Sequence, residues 1–403
     1  MDKERIKGLK NNRSLQQIAV IVIIALVAVS VIIAVAFGGR SSPVPSVSQA
    51  ESSIGSSDGE TSGGTESMVI ESADSSSAEP TTEIPVNTGR EVGIWYSTWY
   101  AKLDPSTPGY TTENRNPRYD TWTGWSIPFK PLSPDGDFET YDALDEEVLS
   151  YHIDSMTEAG IDFIIMDQTN HIDVEQGYIN ERSIAMAQTI KKWNDDPSHK
   201  PLKYSSAVGE FQFTGDPASI EKEAKILYER YNSQDFGGPE YHYYLDGKPL
   251  LVIYAGNTNP ALWRVYNGSK EYADKFTIRW ASNDSKEGFY GWAYNKGSVY
   301  HEEVVVVMPG WRNNVGHTPV LRDHGEWYEK SWDVVLKAEK KPRIVVINSF
   351  NEYAERTGVW PADTSAMEGT PAQEDMWTNS EGIIDPYMYW NMTKQKIAEY
   401  KAE

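Results

Sequence analysis

Short apolar segments alternate with amphipathic helices over residues 91–403, and this alternation limits the fold more than any other feature of the sequence. Strands are predicted at 92–100, 161–166, 202–208, 250–254, 275–280, 289–293, 304–308 and 343–347. Helices are predicted at 151–160, 181–193, 217–231 and 328–339. Strands that are apolar on both faces are typical of a parallel sheet covered by helices. Eight such units favour a (β/α)8 TIM barrel of the α/β class over an open doubly wound sheet, and no glycine-rich phosphate-binding motif follows a strand.

The first 38 residues have the pattern of a membrane anchor. Residues 1–16 form a basic tail, and the apolar run within residues 17–38 is broken only by Ser30. About 20 apolar residues in a helix are enough to cross the hydrocarbon core of a bilayer. Because the basic residues precede the run, we expect a single-pass signal anchor that leaves the rest of the chain outside the cytoplasmic membrane. The alternative is a cleaved secretory signal, with Ala34-Val35-Ala36 as its cleavage site.

Residues 39–90 are predicted to be a disordered linker. They are rich in Ser, Glu, Gly, Thr and Pro and have few large apolar side chains. Such a composition buries too little apolar surface to offset the entropy of ordering the chain. The composition changes abruptly near Glu91, so residues 91–403 are predicted to form one folded domain.

The charge and the residue composition exclude several classes of function. The chain has 37 Lys and Arg residues against 59 Asp and Glu residues, and its net charge of −22 disfavours nucleic acid as a partner. It contains no cysteine, so disulfides and thiolate metal sites are excluded, and its histidines do not cluster. No metal or other cofactor is therefore predicted. Aromatic residues make up 12% of the chain, and such rings pack either in a core or against sugars.

Two glutamates follow the last predicted strand in the stretch PRIVVINSFNEYAERTGVWPAD, residues 342–363. Reactive groups of α/β barrels lie at the carboxyl ends of the strands. Glu352 and Glu355 are therefore placed where a barrel enzyme holds an acid and a base, and Asn351 is suited to orient a sugar hydroxyl. Cleavage of a glycosidic bond needs a carboxylic acid for the leaving oxygen and a second carboxylate on the anomeric side. The alternative is a solvated pair at the start of a helix, where the helix dipole favours acidic residues.

Other predicted strands also end in polar or aromatic residues. If these ends converge, they form an acidic, aromatic cleft suited to an oligosaccharide. The candidate substrate-binding residues are Trp99, Tyr100, Asp167, Asn170, His171, Glu210, Tyr254, Trp280, Trp311, Arg312 and Asn351. Each has a structural alternative, since a carboxylate can cap a helix or pair with a lysine and a histidine can make a structural hydrogen bond.

The segment PGWRNN (residues 309–314) and the motif in PRIVVINSFNEYAE resemble the glycoside hydrolase family 99-like proteins, including the WbsX-like group found in polysaccharide gene clusters. Members commonly read PGWDN, followed by a strand and then WNEWAEG or WNEWHEG. The segment GKPLLVIY (residues 247–254) and the aromatic end of the first predicted strand are similar as well. The resemblance covers roughly residues 91–400.

This resemblance implies a (β/α)8 retaining glycosidase for α-linked sugars, with endo-α-mannosidases as typical members. It implies that Glu352 deprotonates the sugar 2-hydroxyl, which attacks its own anomeric carbon and gives a 1,2-anhydro intermediate. It also implies that Glu355 acts first as the acid and then as the base for the incoming water. The sequence departs from the family pattern at Tyr353, Ala354, Arg356 and Trp360. These changes are expected to alter the walls of the sugar subsites.

Three functions are compatible with the sequence. The first is an extracellular, membrane-anchored glycoside hydrolase that cleaves an α-linked polysaccharide or glycan. The second is a non-catalytic barrel that binds carbohydrate at the cell surface. The third is a glycosyltransferase-like role in the assembly of wall polysaccharide. The intact glutamate pair favours the first.

Overall fold

The computed structural model describes most of the region that is predicted to fold. The described residues are 89–102, 121–169 except 125, 172, 177–209, 217–255, 260–312 except 285, 295 and 296, and 318–402. The predicted cytoplasmic tail and membrane anchor, and residues 39–88 of the predicted linker, lie outside these ranges. Within the described ranges, no helix is both long and apolar enough to cross a membrane.

Strands and helices alternate along the described part of the chain. The strands of the main sheet are β1 (Glu91–Ser97), β2 (Phe163–Asp167), β3 (Lys203–Val208), β4 (Lys248–Tyr254), β5 (Thr277–Ala281), β6 (Val304–Val307) and β7 (Ile344–Ile347). The helices are α1 (Glu146–Ala159), α2 (Gly177–Asn194), α3 (Ala218–Tyr231), α4 (Pro260–Val265), α5 (Glu326–Leu336) and α6 (Met388–Ala402). Short pieces lie at Thr121–Gly124 (helical), at Lys130–Pro131, Tyr244–Leu245 and Ala362–Asp363 (strands), and at Gln234–Phe236, Gly238–Tyr241, Ala273–Lys275, Asp323–Gly325, Ser365–Met367 and Gln373–Asp375 (3₁₀ turns). These elements confirm the predicted strands and helices except at 289–293.

The main sheet is parallel and has the spatial order β5-β4-β3-β2-β1-β7-β6. This is the cyclic order of a (β/α)8 barrel, in which the first strand lies between the second and the last. Successive side chains of a strand point to opposite faces. One set, from each of these strands, forms an inner cluster that includes Trp95, Ile165, Ala207, Val252, Ala281, Val306 and Val346. The other set packs against the helices in an outer cluster that includes Ile94, Ile164, Tyr204, Leu251, Val305 and Val345.

An irregular segment fills the sixth position of this (β/α)8-like fold. The prediction of a strand at 289–293 is wrong, because Tyr290 and Gly291 have φ angles of 56° and 90°, which an extended strand does not allow. Trp292 of this segment is fully buried in the inner cluster, and its Nε1 donates to Glu303 at 2.7 Å. The buried indole thus supplies packing that a sixth strand supplies in a regular barrel.

Replacing Trp292 with Ala should lower the free energy of unfolding by about 3–5 kcal/mol, because it leaves a cavity in the inner cluster. Trp292→Phe keeps most of the apolar contact and should cost less. Leu262→Ala, at a residue that is 45% exposed, should change stability by less than about 0.5 kcal/mol. Urea denaturation of the full-length protein measures all three variants. If Trp292→Ala unfolds at the same urea concentration as the unaltered protein, the segment does not support the barrel.

Candidate active site

Glu352 is a buried carboxyl in the loop that follows β7. Only 1% of its surface is exposed. The backbone amide of Glu355 donates to its Oε1 at 2.8 Å, and the Ser97 hydroxyl at the end of β1 lies 3.5 Å from its Oε2. Burial, reinforced by the charges of Glu355 and Asp167, raises the pKa of Glu352 to about 8. Glu352 therefore keeps its proton near neutral pH.

Glu355 lies three residues further along the loop and has different partners. Trp311 donates its Nε1 hydrogen to Oε2 of Glu355 at 3.1 Å, and the Arg312 amide donates to the Glu355 carbonyl oxygen at 2.9 Å. These two bonds attach the PGWR segment to the glutamate loop. Burial raises the pKa of Glu355, whereas the hydrogen bond from Trp311 favours its charged form. The two glutamates therefore have different environments.

Asp167, the last residue of β2, brings a third carboxyl to the site. It is 2% exposed and lies level with Ser97 in the sheet register. The backbone amide and the hydroxyl of Thr169 donate to its Oδ1 at 3.1 and 2.7 Å, and the Tyr294 hydroxyl donates to its Oδ2 at 3.0 Å. Burial raises the pKa of Asp167 in spite of these hydrogen bonds, which favour the charged form. Its charge acts in turn on Glu352 and Glu355.

These three carboxyls at one end of the barrel, two buried and that of Glu355 half-buried, cannot all carry a charge. Like charges in a water-poor site repel each other, so the cluster retains at least one proton near neutral pH. A pair of carboxyls in different environments is what acid–base chemistry needs, because one group holds a proton while the other is ionised. In the described ranges, no group of three or more His, Asp or Glu side chains is arranged to hold a metal ion.

Hydrogen bonds from the protein interior fix the position of the glutamate loop. The buried Asn351 accepts from the Ser97 amide at 2.8 Å and donates to the Ser97 carbonyl oxygen at 2.9 Å and to the Tyr141 hydroxyl at 2.8 Å. The hydroxyl of the buried Tyr100 accepts from the Tyr353 amide at 2.8 Å. The candidate residues Asn351 and Tyr100 therefore use their polar atoms to join the loop to the end of β1.

Tyr254 is a further candidate that the structure brings towards the carboxyls. It is half-buried at the end of β4, its hydroxyl donates to Asn283, and its ring lies 5.5 Å from the ring of Tyr294. Tyr294 itself was not identified from the sequence. It lies in the irregular segment between β5 and β6 and directly follows the residues predicted as a strand at 289–293, so the strand-end rule that selected the other candidates was the signal that could have found it.

The side chains of three other candidates contact residues outside the cluster of Glu352, Glu355 and Asp167. Trp99 packs in the outer cluster next to Tyr100. Trp280 also packs against the outer cluster, on the face of β5 that points away from the barrel interior. Arg312 pairs with Asp375 at 2.7 Å and with Glu374 at 2.9 Å. The remaining candidates lie outside the described residues: Asn170, His171 and Glu210.

The residues that depart from the family pattern are mostly buried. Tyr353 and Trp360 are 0% and 1% exposed, so they pack in the core. The expectation that these two residues form walls of the sugar subsites is therefore wrong. Arg356 has a φ of 65°, a conformation that glycine adopts more readily. The buried Arg322 donates to the carbonyl oxygens of Arg356 and Gly358 at 2.7 and 2.8 Å. These bonds hold the left-handed turn that ends the glutamate loop.

Comparison with known proteins supports the fold assignment. No protein-family model matches the chain, and no curated protein matches it. Among solved structures, the GH99 endo-α-mannosidase from Bacteroides thetaiotaomicron in complex with bis-tris-propane matches with a TM-score of 0.55 and 16% identity, over 77% of this chain and 97% of that chain. A second structure of that enzyme matches with a TM-score of 0.53 and 16% identity, over 77% of this chain and 98% of that chain. The resemblance predicted from the sequence is thus confirmed at the level of the fold.

Replacing Glu352 with Gln should stabilise the protein at alkaline pH. In the unfolded chain the carboxyl ionises above its ordinary pKa, whereas the folded protein holds the proton up to about pH 8. The contribution of Glu352 to the free energy of unfolding therefore falls by about 1.4 kcal/mol for each pH unit as the pH rises through this interval. A glutamine side chain has no proton to lose, so the variant should match the unaltered protein near pH 4 and exceed it above pH 8.

Urea denaturation between pH 4 and 9 measures this difference. Glu381→Gln, which removes an exposed carboxyl, is the matched control and should follow the unaltered protein throughout. A Glu352→Gln variant whose stability difference does not grow with pH would contradict the raised pKa of Glu352.

Proposed function

We propose that this protein is a glycoside hydrolase that cleaves an α-linked glycan with retention of configuration and uses Glu352 and Glu355. The observation that carries the proposal is the pair of carboxyls, Glu352 buried and Glu355 half-buried, at the carboxyl end of a (β/α)8-like sheet. The fold shared with a GH99 endo-α-mannosidase and the NEYAE motif support the choice of an α-linked glycan. Barrels of this kind hold their reactive groups at this end of the strands.

Hydrolysis by this pair takes two steps. In the first, one glutamate takes the proton of the sugar 2-hydroxyl while the hydroxyl oxygen of the sugar attacks the anomeric carbon. The other glutamate gives its proton to the leaving oxygen. The anomeric C–O bond breaks and a 1,2-anhydro sugar forms. In the second, the glutamate that gave its proton takes one from water, whose oxygen attacks the anomeric carbon. The ring-opened O2 recovers the proton from the first glutamate, and two inversions give net retention.

The roles of the two glutamates can be assigned in two ways. The family resemblance makes Glu352 the base and Glu355 the acid. The electrostatics of the site favour the exchanged roles, because Glu352, with a pKa of about 8, holds the proton while Glu355 accepts a hydrogen bond that favours its charge. Under the family assignment, substrate binding must move the proton from Glu352 to Glu355 before the first step.

Replacing either Glu352 or Glu355 with Gln should lower kcat by at least about 10²-fold, because each variant lacks a group that transfers a proton. Release of reducing sugar by the full-length protein from a panel of α-linked glycans measures the change. Glu381→Gln is the control and should retain full activity. If the unaltered protein binds a glycan without turnover, and both Gln variants bind it equally well, the protein is a carbohydrate-binding barrel. Turnover that requires an activated donor identifies a transferase.

An aryl α-glycoside with a good leaving group distinguishes the two role assignments. Such a leaving group departs without protonation, so a variant that lacks only the acid keeps most of its rate for the first step, although its second step, in which the same glutamate is the base for water, stays slow. The family assignment predicts that Glu355→Gln is active on this substrate and Glu352→Gln is not. The exchanged assignment predicts the reverse. Comparison of kcat/KM for release of the leaving group, which reports the first step, for each variant on the aryl glycoside and on a natural glycan decides between them.

We also propose that residues 17–38 anchor the protein in the cytoplasmic membrane with the barrel outside the cell. The basic tail followed by an apolar run supports this topology. The full-length protein should stay in the membrane fraction after an alkaline wash, and external protease should digest the barrel in intact cells. Mass spectrometry of the mature N-terminus tests the alternative, since a chain that begins after Ala36 has lost its anchor.

A further inference from the structure

Tyr294 enters the carboxyl site from the irregular segment that fills the sixth barrel position. Its backbone amide donates to the carbonyl oxygen of Ser282, the residue after β5, at 2.7 Å. Its ring packs edge-on against Trp95 of β1, with centroids 5.0 Å apart, and 5.5 Å from Tyr254 of β4. Residues in or directly after three separate strands, β1, β4 and β5, therefore determine where the Tyr294 hydroxyl lies.

The hydroxyl of Tyr294 completes the hydrogen bonding of Asp167. It donates to Oδ2 at 3.0 Å, while Oδ1 accepts both bonds from Thr169. With both oxygens bonded, the Asp167 carboxyl is fixed in rotation. Burial and the charges of Asp167, Glu355 and Glu352 raise the pKa of Tyr294 well above its ordinary value, so the phenol remains a donor.

We infer that Tyr294 is a positioning residue whose hydrogen bond keeps Asp167 in its charged form. The charge of Asp167 then sets the protonation state of the Glu352/Glu355 pair. The catalytic part of this role rests on the glycosidase function proposed above. A hydrogen bond to the charged form of a carboxyl favours that form, and a charged neighbour makes a second carboxyl harder to ionise. Without the phenol hydrogen, Asp167 competes for the proton that the pair otherwise holds.

Several other groups act on the same carboxyls and stay unchanged when Tyr294 is altered. Besides Tyr294, the titratable groups of the described residues that face Glu352 are Tyr100, Tyr141, Glu355, Arg356 and Asp167. Asp167 faces Thr169 and Tyr294 in addition to the glutamates. The hydroxyls of Tyr100 and Tyr141 accept from Tyr353 and Asn351, and Arg356 donates to the Tyr353 carbonyl oxygen. None of these bonds includes Asp167, so the Tyr294–Asp167 bond is the contact that the experiment isolates.

Tyr294→Phe removes the donor and keeps the ring. We expect the titration midpoint of Glu352 to fall by on the order of one pH unit, because a protonated Asp167 no longer repels its charge. Carbon-detected NMR of the full-length protein, with 13C-labelled Glu and Asp carboxyls, measures the midpoint without any substrate. Asp167→Asn should lower the midpoint at least as far. Tyr300→Phe is the matched control, since its hydroxyl donates to the backbone carbonyl oxygen of Lys340, and should leave the midpoint in place.

The double variant Tyr294→Phe/Asp167→Asn tests whether the effect passes through Asp167. It should show the midpoint of Asp167→Asn alone. If Tyr294→Phe lowers the Glu352 midpoint further in that background, the inference is overturned. An unchanged Glu352 midpoint in Asp167→Asn alone also overturns it, and this measurement does not require the Tyr294 variant to fold. If no glycan is cleaved but the midpoints move as stated, the proposed function is wrong and the effect of Tyr294 on Glu352 through Asp167 is still confirmed. If glycan is cleaved, the alkaline limb of kcat/KM should shift with the midpoint.

Discussion

Repulsion among three carboxyl groups in one water-poor site is the constraint on which the arrangement of the surrounding residues depends. Glu352 and Asp167 are almost without exposed surface, and Glu355 lies beside them. Charging all of them in a water-poor site costs more free energy than their hydrogen bonds return. The site therefore holds a proton, and the identity of the group that holds it decides which chemistry the pair performs.

The surrounding structure works to keep these groups in place against that repulsion. Asn351 joins the glutamate loop to the end of β1 through both its amide atoms, and Trp311 joins it to the segment after β6. Arg322 holds the turn that closes the loop through two carbonyl oxygens. The loop is thus bonded to separate parts of the barrel, and these bonds together fix the positions of its two carboxyls.

The departures from a regular barrel and from the family motif have structural explanations. Trp292 takes the place of a sixth strand, and the same segment delivers Tyr294 to Asp167. Arg356 occupies a left-handed turn where the family commonly has glycine, and its side chain packs over Phe129 at 5.2 Å. Its backbone carbonyl bonds to Arg322, so the contacts of this turn offset the strain of a non-glycine residue there.

The sequence by itself determined the repeating strands and helices and the position of Glu352 and Glu355 after the last strand, because both depend on local patterns. A run of apolar residues specifies a buried strand, and the residues that follow it lie at the end of the sheet. Only the tertiary structure decided which side chains meet there. Asp167 and Tyr294 lie 127 residues apart and share a hydrogen bond, while Trp280, at a strand end like Asp167, faces the outer cluster. Such pairings depend on register, on the face to which each side chain points, and on the path of an irregular segment, none of which has a local signal in the chain.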